Sequence, residues 1–138
     1  MSIINSNPGI RRIDPKNRVG VPVDSRDNLK NPHIAIDYFI DVSGKLELNT
    51  LRVFGEGTPT FDSLEERIGE KDPFIRKVSV DKQGRILLKG HELDHLGNPE
   101  NIDAFYTPSF ETIYFNPKDE TKFYQILKSY FPPIKSRI

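Results

Sequence analysis

One stretch of alternating apolar and polar residues limits most strongly what this chain can fold into. Apolar side chains occupy every second position over residues 34–42, namely Ile34, Ile36, Tyr38, Ile40 and Val42. Because side chains along a strand point alternately to its two faces, this period of two predicts a β-strand with one buried face. The turn Asp41-Val-Ser-Gly44 and the alternating Leu46 and Leu48 then predict an antiparallel hairpin over residues 34–54.

The same turn chemistry recurs later in the chain and predicts a second hairpin. Residues 74–80 have the pattern of a strand, Asp81-Lys-Gln-Gly84 that of a turn, and residues 85–88 that of a return strand. Both turns begin with Asp, end with Gly and are followed by a basic residue. Independent use of one favourable turn explains this similarity better than an internal repeat.

Two helices are predicted from start and stop signals. Asp62 and Glu65 have the spacing of a capping box, which predicts a short helix through Ile68 that Gly69 ends. Nearer the C-terminus, Asn116 suits the N-cap and Pro117 the first helical position. An apolar stripe with helical spacing follows: Phe123, Ile126, Leu127, Tyr130 and Phe131. It predicts a C-terminal helix that packs on the sheet.

These elements predict an α+β fold, in which an antiparallel sheet of about five strands is packed by the C-terminal helix. The sheet would consist of the two hairpins and a last strand at residues 112–115. Residues 1–33 contain four spaced prolines and are expected to form an extended, Pro-rich arm. The α+β domain is then expected at residues 34–131 and a tail at residues 132–138, with residues 90–110 rich in loops.

The composition argues against several kinds of function. Lys plus Arg and Asp plus Glu each number 20, so the net charge is zero and recruitment to nucleic acid or to a membrane is not indicated. The chain contains no Cys, which excludes a disulfide framework, a thiolate metal site and a thiol nucleophile. Without a signal-peptide pattern or a long apolar run, a cytoplasmic or intracellular location is expected by default, with a virion as the alternative.

One short motif can carry chemistry. His91-Glu-Leu-Asp-His95 matches H-E-x-x-H. On a helix this spacing places both imidazoles on one face as ligands for zinc or iron, and Glu92 as general base on a metal-bound water. A third ligand would come from residues elsewhere in the chain: His33, Glu100, Asp103 or Glu111.

The motif extends to Leu96 and resembles the metal-binding helix of peptide deformylases, which reads H-E-x-D-H-L. The resemblance implies that His91 and His95 bind the metal and that Glu92 is the base. It covers only residues 91–96, and the Cys that serves as third ligand in that family has no counterpart in this chain.

Three functions follow from these patterns. The favoured one is a non-enzymatic protein–protein interaction or assembly subunit, homo- or hetero-oligomeric, such as a structural component of a phage or virus. Its arm at residues 1–33 would contact neighbouring proteins, and it would need no cofactor. The second is a zinc-type hydrolase that uses His91, Glu92 and His95. The third is a small regulatory or inhibitor-type module that docks one protein through an edge strand or the 90–110 loop.

Overall fold

The computed structural model describes residues 9–22, 29–40, 43–44, 47–107 and 110–117, which form strands and two short helices. In chain order the elements are β1 (Gly9–Arg12), β2 (Arg18–Gly20), β3 (His33–Ile40), β4 (Glu47–Phe54), α1 (Pro59–Gly69), β5 (Ile75–Lys77), β6 (Arg85–Leu87), α2 (Gly90–His95), β7 (Asn101–Thr107) and β8 (Thr112–Pro117). None of these described helices is long and apolar enough to cross a membrane.

The described strands form one large sheet and one small one. The large sheet has six strands in the order β1-β7-β8-β4-β3-β5, and β2 pairs with β6 in a two-stranded ribbon. All the strand pairs are antiparallel. This architecture confirms the sheet-rich α+β class that the sequence predicts.

The first predicted hairpin is confirmed. β3 and β4 pair along their whole length, from His33 opposite Phe54 to Ile40 opposite Glu47. The alternation read from the sequence also separates two faces of the sheet, because Ile34 joins one buried cluster and the adjacent Ala35 joins another.

The second predicted hairpin is wrong, although its turn forms. The amide of Gly84 donates to the carbonyl of Asp81 at 3.0 Å, and Gly84 adopts the positive φ of +76° that the turn requires. However, β5 pairs with β3 and β6 pairs with β2. Alternation predicts that a segment is extended but does not identify its partner, and here the chain passes from the large sheet into the ribbon at this turn.

The extended arm expected over residues 1–33 is not supported by the part of it that the structure describes. β1 pairs with β7 and β2 pairs with β6, so both strands belong to the chain's own sheets. Val19 and Val21 are buried in the core. Pro15 lies in a turn and Pro22 lies two residues after the end of β2, positions that tolerate the missing amide donor. Spaced prolines are therefore compatible with short strands.

The helices and the last strands require further corrections. α1 begins at Pro59 instead of near Asp62, because Thr58 caps it by accepting the Phe61 amide at 3.2 Å. It ends at Gly69, one residue beyond the predicted end at Ile68, and Glu70 is the C-cap. β7 occupies much of the segment expected to be loop.

β8 confirms the last predicted strand but continues to Pro117, so Asn116 does not cap a helix. The remainder of the predicted C-terminal helix, residues 118–131, and the tail at residues 132–138 lie outside the described residues.

The two faces of the large sheet carry different layers. The first face packs against the ribbon and α2, in a cluster that includes Val19, Val21, Ile34, Leu51, Val53, Ile86, Leu88, Leu93, Leu96, Ile102, Ala104, Ile113 and Phe115. On the second face, Leu64 of α1 packs against Ala35 and Phe54. α2, which carries the H-E-x-x-H motif, therefore lies on the opposite side of the sheet from α1.

Two turns of the same design lie at the starts of the two ribbon strands. Asp14 Oδ1 accepts the amides of Lys16 and Arg18 at 2.9 and 2.8 Å. Asp81 Oδ1 accepts the amides of Gln83 and Arg85, both at 2.9 Å. The following arginine donates back to the other carboxylate oxygen in each turn, at 2.7 Å in the first and 3.1 Å in the second. Each carboxylate thus fixes the chain direction into its strand.

These turns predict a loss of stability in acid. The backbone amide of Arg18 is the main cause that lowers the pKa of Asp14, and the amide of Arg85 does the same for the pKa of Asp81. Because these pKa values are lower in the folded state than the usual 3.8, the stabilisation is present above that value and is lost as the pH falls through the folded pKa. We expect the free energy of unfolding to fall as the pH drops from about 5 towards 2.

Asp81→Asn should make this decrease shallower, because the amide does not titrate. Urea denaturation at a series of pH values measures the effect. An identical pH dependence in the variant and in the unchanged chain would contradict the role assigned to the carboxylate.

Candidate functional site

The H-E-x-x-H motif lies on a helix, but that helix is short. α2 spans only Gly90–His95, so it begins one residue before His91. Leu93 and the following Leu96 are buried against the first face of the sheet. This packing sets the rotation of α2 about its axis and therefore determines which motif side chains face the interior.

Glu92 faces the interior and both of its carboxylate oxygens are engaged. Its relative exposure is 1%, and it accepts two hydrogen bonds from Arg76, from Nε to Oε2 and from Nη2 to Oε1, both at 2.7 Å. The amide of Lys89 also donates to Oε1 at 2.8 Å, which caps the start of the helix. A bidentate pair of this kind is geometrically specific and strong. For Glu92 to act as a general base, this pair would have to open.

Arg76 joins three elements through its guanidinium group. Besides its two bonds to Glu92 on α2, Nη2 donates to the carbonyl of Leu87 on β6 at 2.7 Å. Arg76 itself lies on β5, where it is paired with Ile34. The interaction therefore connects the edge of the large sheet, the ribbon and α2.

The two histidines of the motif have different surroundings. His91 is exposed, whereas His95 is half-buried. Nε2 of His95 donates to the carbonyl of Asp37 on β3 at 2.7 Å, because a carbonyl oxygen can only accept. The carbonyl of His95 in turn accepts from Nδ2 of Asn49 on β4 at 3.0 Å. His95 is thus fixed to the β3–β4 hairpin.

Two of the four proposed third ligands lie on the opposite face of the sheet from the motif. His33 is buried on the second face, stacked on Phe54 with ring centroids 6.0 Å apart, and donates from Nδ1 to the carbonyl of Asn31 at 2.9 Å. Asp103 also points to the second face, because its neighbours Ile102 and Ala104 belong to the first-face cluster. Both are therefore separated from α2 by the sheet.

Two acidic candidates remain, and both precede strands of the large sheet. Glu100 is exposed directly before β7, and Glu111 lies directly before β8. Within the described residues, no group of three or more His, Asp or Glu side chains comes together in a way that could hold a metal ion. The structure therefore does not assemble the three-ligand site of a zinc hydrolase there.

A second candidate surface lies at the edge of the large sheet, along β5. The carbonyl of Phe74 accepts from the Ile36 amide and the Val78 amide donates to Pro32, both at 2.9 Å. Because hydrogen-bonded residues alternate along an antiparallel strand, the amide of Lys77 points away from β3, and the same alternation continued past the strand end gives the Ser79 amide this direction. Among the described strands, none pairs with this outer edge of β5.

A groove lies at the C-terminal end of β5, where residues 77–80 and the segment that precedes β3 both line it. It is a cavity of about 460 Å³ lined by Leu29, Asn31, Pro32, Lys77, Val78, Ser79 and Val80. Phe74, which is 56% exposed, precedes the strand directly. We call residues 29–32 and 74–80 together the β5 edge surface.

The β5 edge surface carries both lysines and an acid. Lys77 lines the groove, and Lys30 and Lys82 lie beside its lining segments in sequence. Asp81, the nearest acid in sequence, is bonded to Arg85, while Arg76 is paired with Glu92. Glu56 also reaches this surface, because its Oε2 accepts a hydrogen bond from Nδ2 of Asn31 at 2.9 Å, so Lys77 is the one charged residue among those that line the groove.

One feature of the sequence indicates that a base of β5 faces the interior. Arg76 and Lys77 are adjacent bases within a predicted strand. Because adjacent side chains of a strand point to opposite faces, one of the two has to face the covered side of the sheet. A buried acid as its partner could have been expected from this pattern, although not its identity.

Comparisons with known proteins add no relative. None of the protein-family models matches the chain, and no curated protein matches it. Function is therefore inferred from the geometry of α2 and of the β5 edge surface.

The pair of Arg76 and Glu92 should dominate the stability of this region. Removing one partner leaves the other charge largely buried and alone, so Glu92→Leu should cost about 3–5 kcal/mol. The double variant Arg76→Met, Glu92→Leu should lose less than the sum of the single variants, by about 0.5–3 kcal/mol. Urea denaturation of the four proteins measures this coupling.

The surface pair of Arg67 and Asp72 provides a matched control. Arg67 Nε lies 2.8 Å from Asp72 Oδ2, but the Arg67 side chain is 45% exposed. Arg67→Met should therefore cost much less than Arg76→Met. Equal losses for the two arginines, or strictly additive effects at residues 76 and 92, would contradict the role given to the buried pair.

Proposed function

We propose that this chain is a non-enzymatic protein-interaction module that binds an extended, acidic segment of a protein partner along the β5 edge surface. The observation that carries the proposal is the outer edge of β5, which no described strand pairs, together with a cavity of about 460 Å³ at the end of this strand. Addition of a strand to an open sheet edge is a common way in which domains recognise extended peptides.

The backbone of β5 supplies the affinity in this proposal and the groove supplies the selectivity. An added strand would accept hydrogen bonds from the outward amides of Lys77 and Ser79. Its side chains would point alternately towards and away from the groove, where Leu29, Pro32 and Val80 offer apolar contacts. The volume of the groove lies within the range of roughly 300–1,000 Å³ that is common for ligand pockets.

The charge of the surface favours an acidic partner. A lysine on an edge strand hinders indiscriminate strand pairing, because it would be buried or would meet another charge. An Asp or Glu opposite Lys77 removes this penalty, whereas a basic residue there increases it. The surface would therefore discriminate among extended segments by charge.

In this proposal the partner contacts the β5 edge surface and not the arm expected at residues 1–33. In the described part of residues 1–33, β1 and β2 are already paired within the chain's own sheets. The hydrolase alternative gains no support from α2, since both oxygens of Glu92 are bonded to Arg76. The edge-strand form of the interaction function therefore fits the geometry best.

Reversal of the charge at Lys77 tests the proposal. Peptides selected from a random displayed library on the unchanged chain should be enriched in Asp and Glu. Lys77→Glu should weaken their binding by roughly 2- to 5-fold or more, as expected for a partly exposed ion pair. N-methylation of alternate peptide amides should abolish binding in only one of its two registers, because only one set of amides faces β5. Fluorescence anisotropy of labelled peptides measures both effects.

Arg12 provides the matched control, because it is an exposed base on β1, the opposite edge strand of the same sheet. Arg12→Glu makes the same change of charge but should leave peptide affinity unchanged. If Lys77→Glu and Arg12→Glu weakened peptide binding equally, the effect would come from the net charge of the protein and not from a contact with Lys77. Selected peptides that bind Lys77→Glu as tightly as the unchanged chain would overturn the proposed site.

A further inference from the structure

The two histidines of α2 have the spacing of a chelating pair. His91 and His95 are four residues apart, so they are neighbours on one side of the helix, with Cβ atoms about 5–6 Å apart in a regular helix. His91 is exposed, and its ring makes no hydrogen bond within the described part of the chain. Its imidazole is therefore available to a ligand from solvent.

The ring of His95 is held in one orientation. Because Nε2 donates its hydrogen to the carbonyl of Asp37 at 2.7 Å, the neutral ring carries its lone pair on Nδ1. A histidine that coordinates a metal commonly donates its other ring N–H to a backbone carbonyl or a carboxylate, which fixes the tautomer. The bond to Asp37 is an arrangement of this kind.

The helix that carries the pair is itself fixed in place. Glu92 anchors α2 to β5 through Arg76, and Asn49 bonds the carbonyl of His95 from β4. Leu93 and Leu96 pack into the first-face core. The His95 imidazole on such a support loses little conformational freedom when it binds an ion, which favours chelation.

We propose that His91 and His95 bind one divalent transition-metal cation, such as Zn²⁺ or Ni²⁺, through the His91 ring and Nδ1 of His95. Imidazole suits these cations and does not suit Mg²⁺. Water completes the coordination, and Glu92 takes no part because it remains paired with Arg76. The bound cation stabilises the attachment of α2 to the β3–β4 hairpin and is independent of the β5 edge surface.

Titration of the full, untagged and chelator-treated chain with ZnCl₂ and NiCl₂ tests this site by isothermal calorimetry. We expect one ion per chain, no heat with MgCl₂, and a rise in the thermal unfolding midpoint with ZnCl₂. His91→Ala should weaken affinity by about tenfold or more, because loss of one ligand removes the chelate. His91 is exposed, so this variant should keep the fold.

The third histidine of the chain gives a matched control. His33 is buried and stacked on Phe54, so His33→Phe removes an imidazole but keeps the ring contact. This variant and Lys77→Glu should both bind Zn²⁺ as the unchanged chain does. In NMR spectra that correlate the ring nitrogens with ring protons, Zn²⁺ should shift Nδ1 of His95 while Nε2 keeps its hydrogen.

Three results would overturn the proposal. The first is the absence of Zn²⁺ binding up to about 1 mM, the weak end of the affinity scale. The second is unchanged affinity in His91→Ala, and the third is a loss in His33→Phe as large as that in His91→Ala.

Discussion

The buried ion pair between Arg76 and Glu92 holds together parts of the molecule that hydrogen-bonded strand pairing does not connect. The large sheet and the ribbon share no described strand pair, and α2 belongs to neither. Apolar burial brings these layers together but is not directional, so it does not fix their relative positions. Arg76 fixes these relative positions. Its guanidinium group extends from β5 and hydrogen-bonds both Glu92 on α2 and the carbonyl of Leu87 on β6.

The same pair changes what the H-E-x-x-H motif can do. The motif is usually read as one catalytic unit, but here its residues are divided by burial. Leu93 and Leu96 turn α2 so that Glu92 faces Arg76, while His91 remains in solvent. Both carboxylate oxygens of Glu92 accept hydrogen bonds within the chain, from Arg76 and from the Lys89 amide. The motif on this chain therefore combines a buried structural acid, an exposed histidine and a histidine that is bonded to β3.

Local patterns predicted individual elements well, but not which strands pair. The alternation around Ile34 to Leu48 predicted the β3–β4 hairpin, although both faces of this strand pair carry buried residues, as Ile34 and Ala35 show. The turn at residues 81–84 was also predicted, yet β5 and β6 pair with β3 and β2. β7 was missed because Ile102 and Phe105 are buried on opposite faces, which removes the alternation. In the candidate site, His91, Glu92 and His95 were found by motif, whereas Arg76 lies sixteen residues from Glu92 and no local pattern links them.

The register of β5 turns the Arg76 side chain towards the interior, while the outer edge of the strand has no described partner strand. Arg76 is paired with Ile34, whose side chain lies in the first-face core, so its side chain points towards α2 and the ribbon. Lys77, one residue further, must then point to the other face, and its amide points away from β3. A bond that fixes Arg76 thus also fixes the direction of the outward amide and of the Lys77 side chain. Since a preformed edge costs little entropy when a strand is added, the interior ion pair and the proposed peptide surface are two consequences of one strand register.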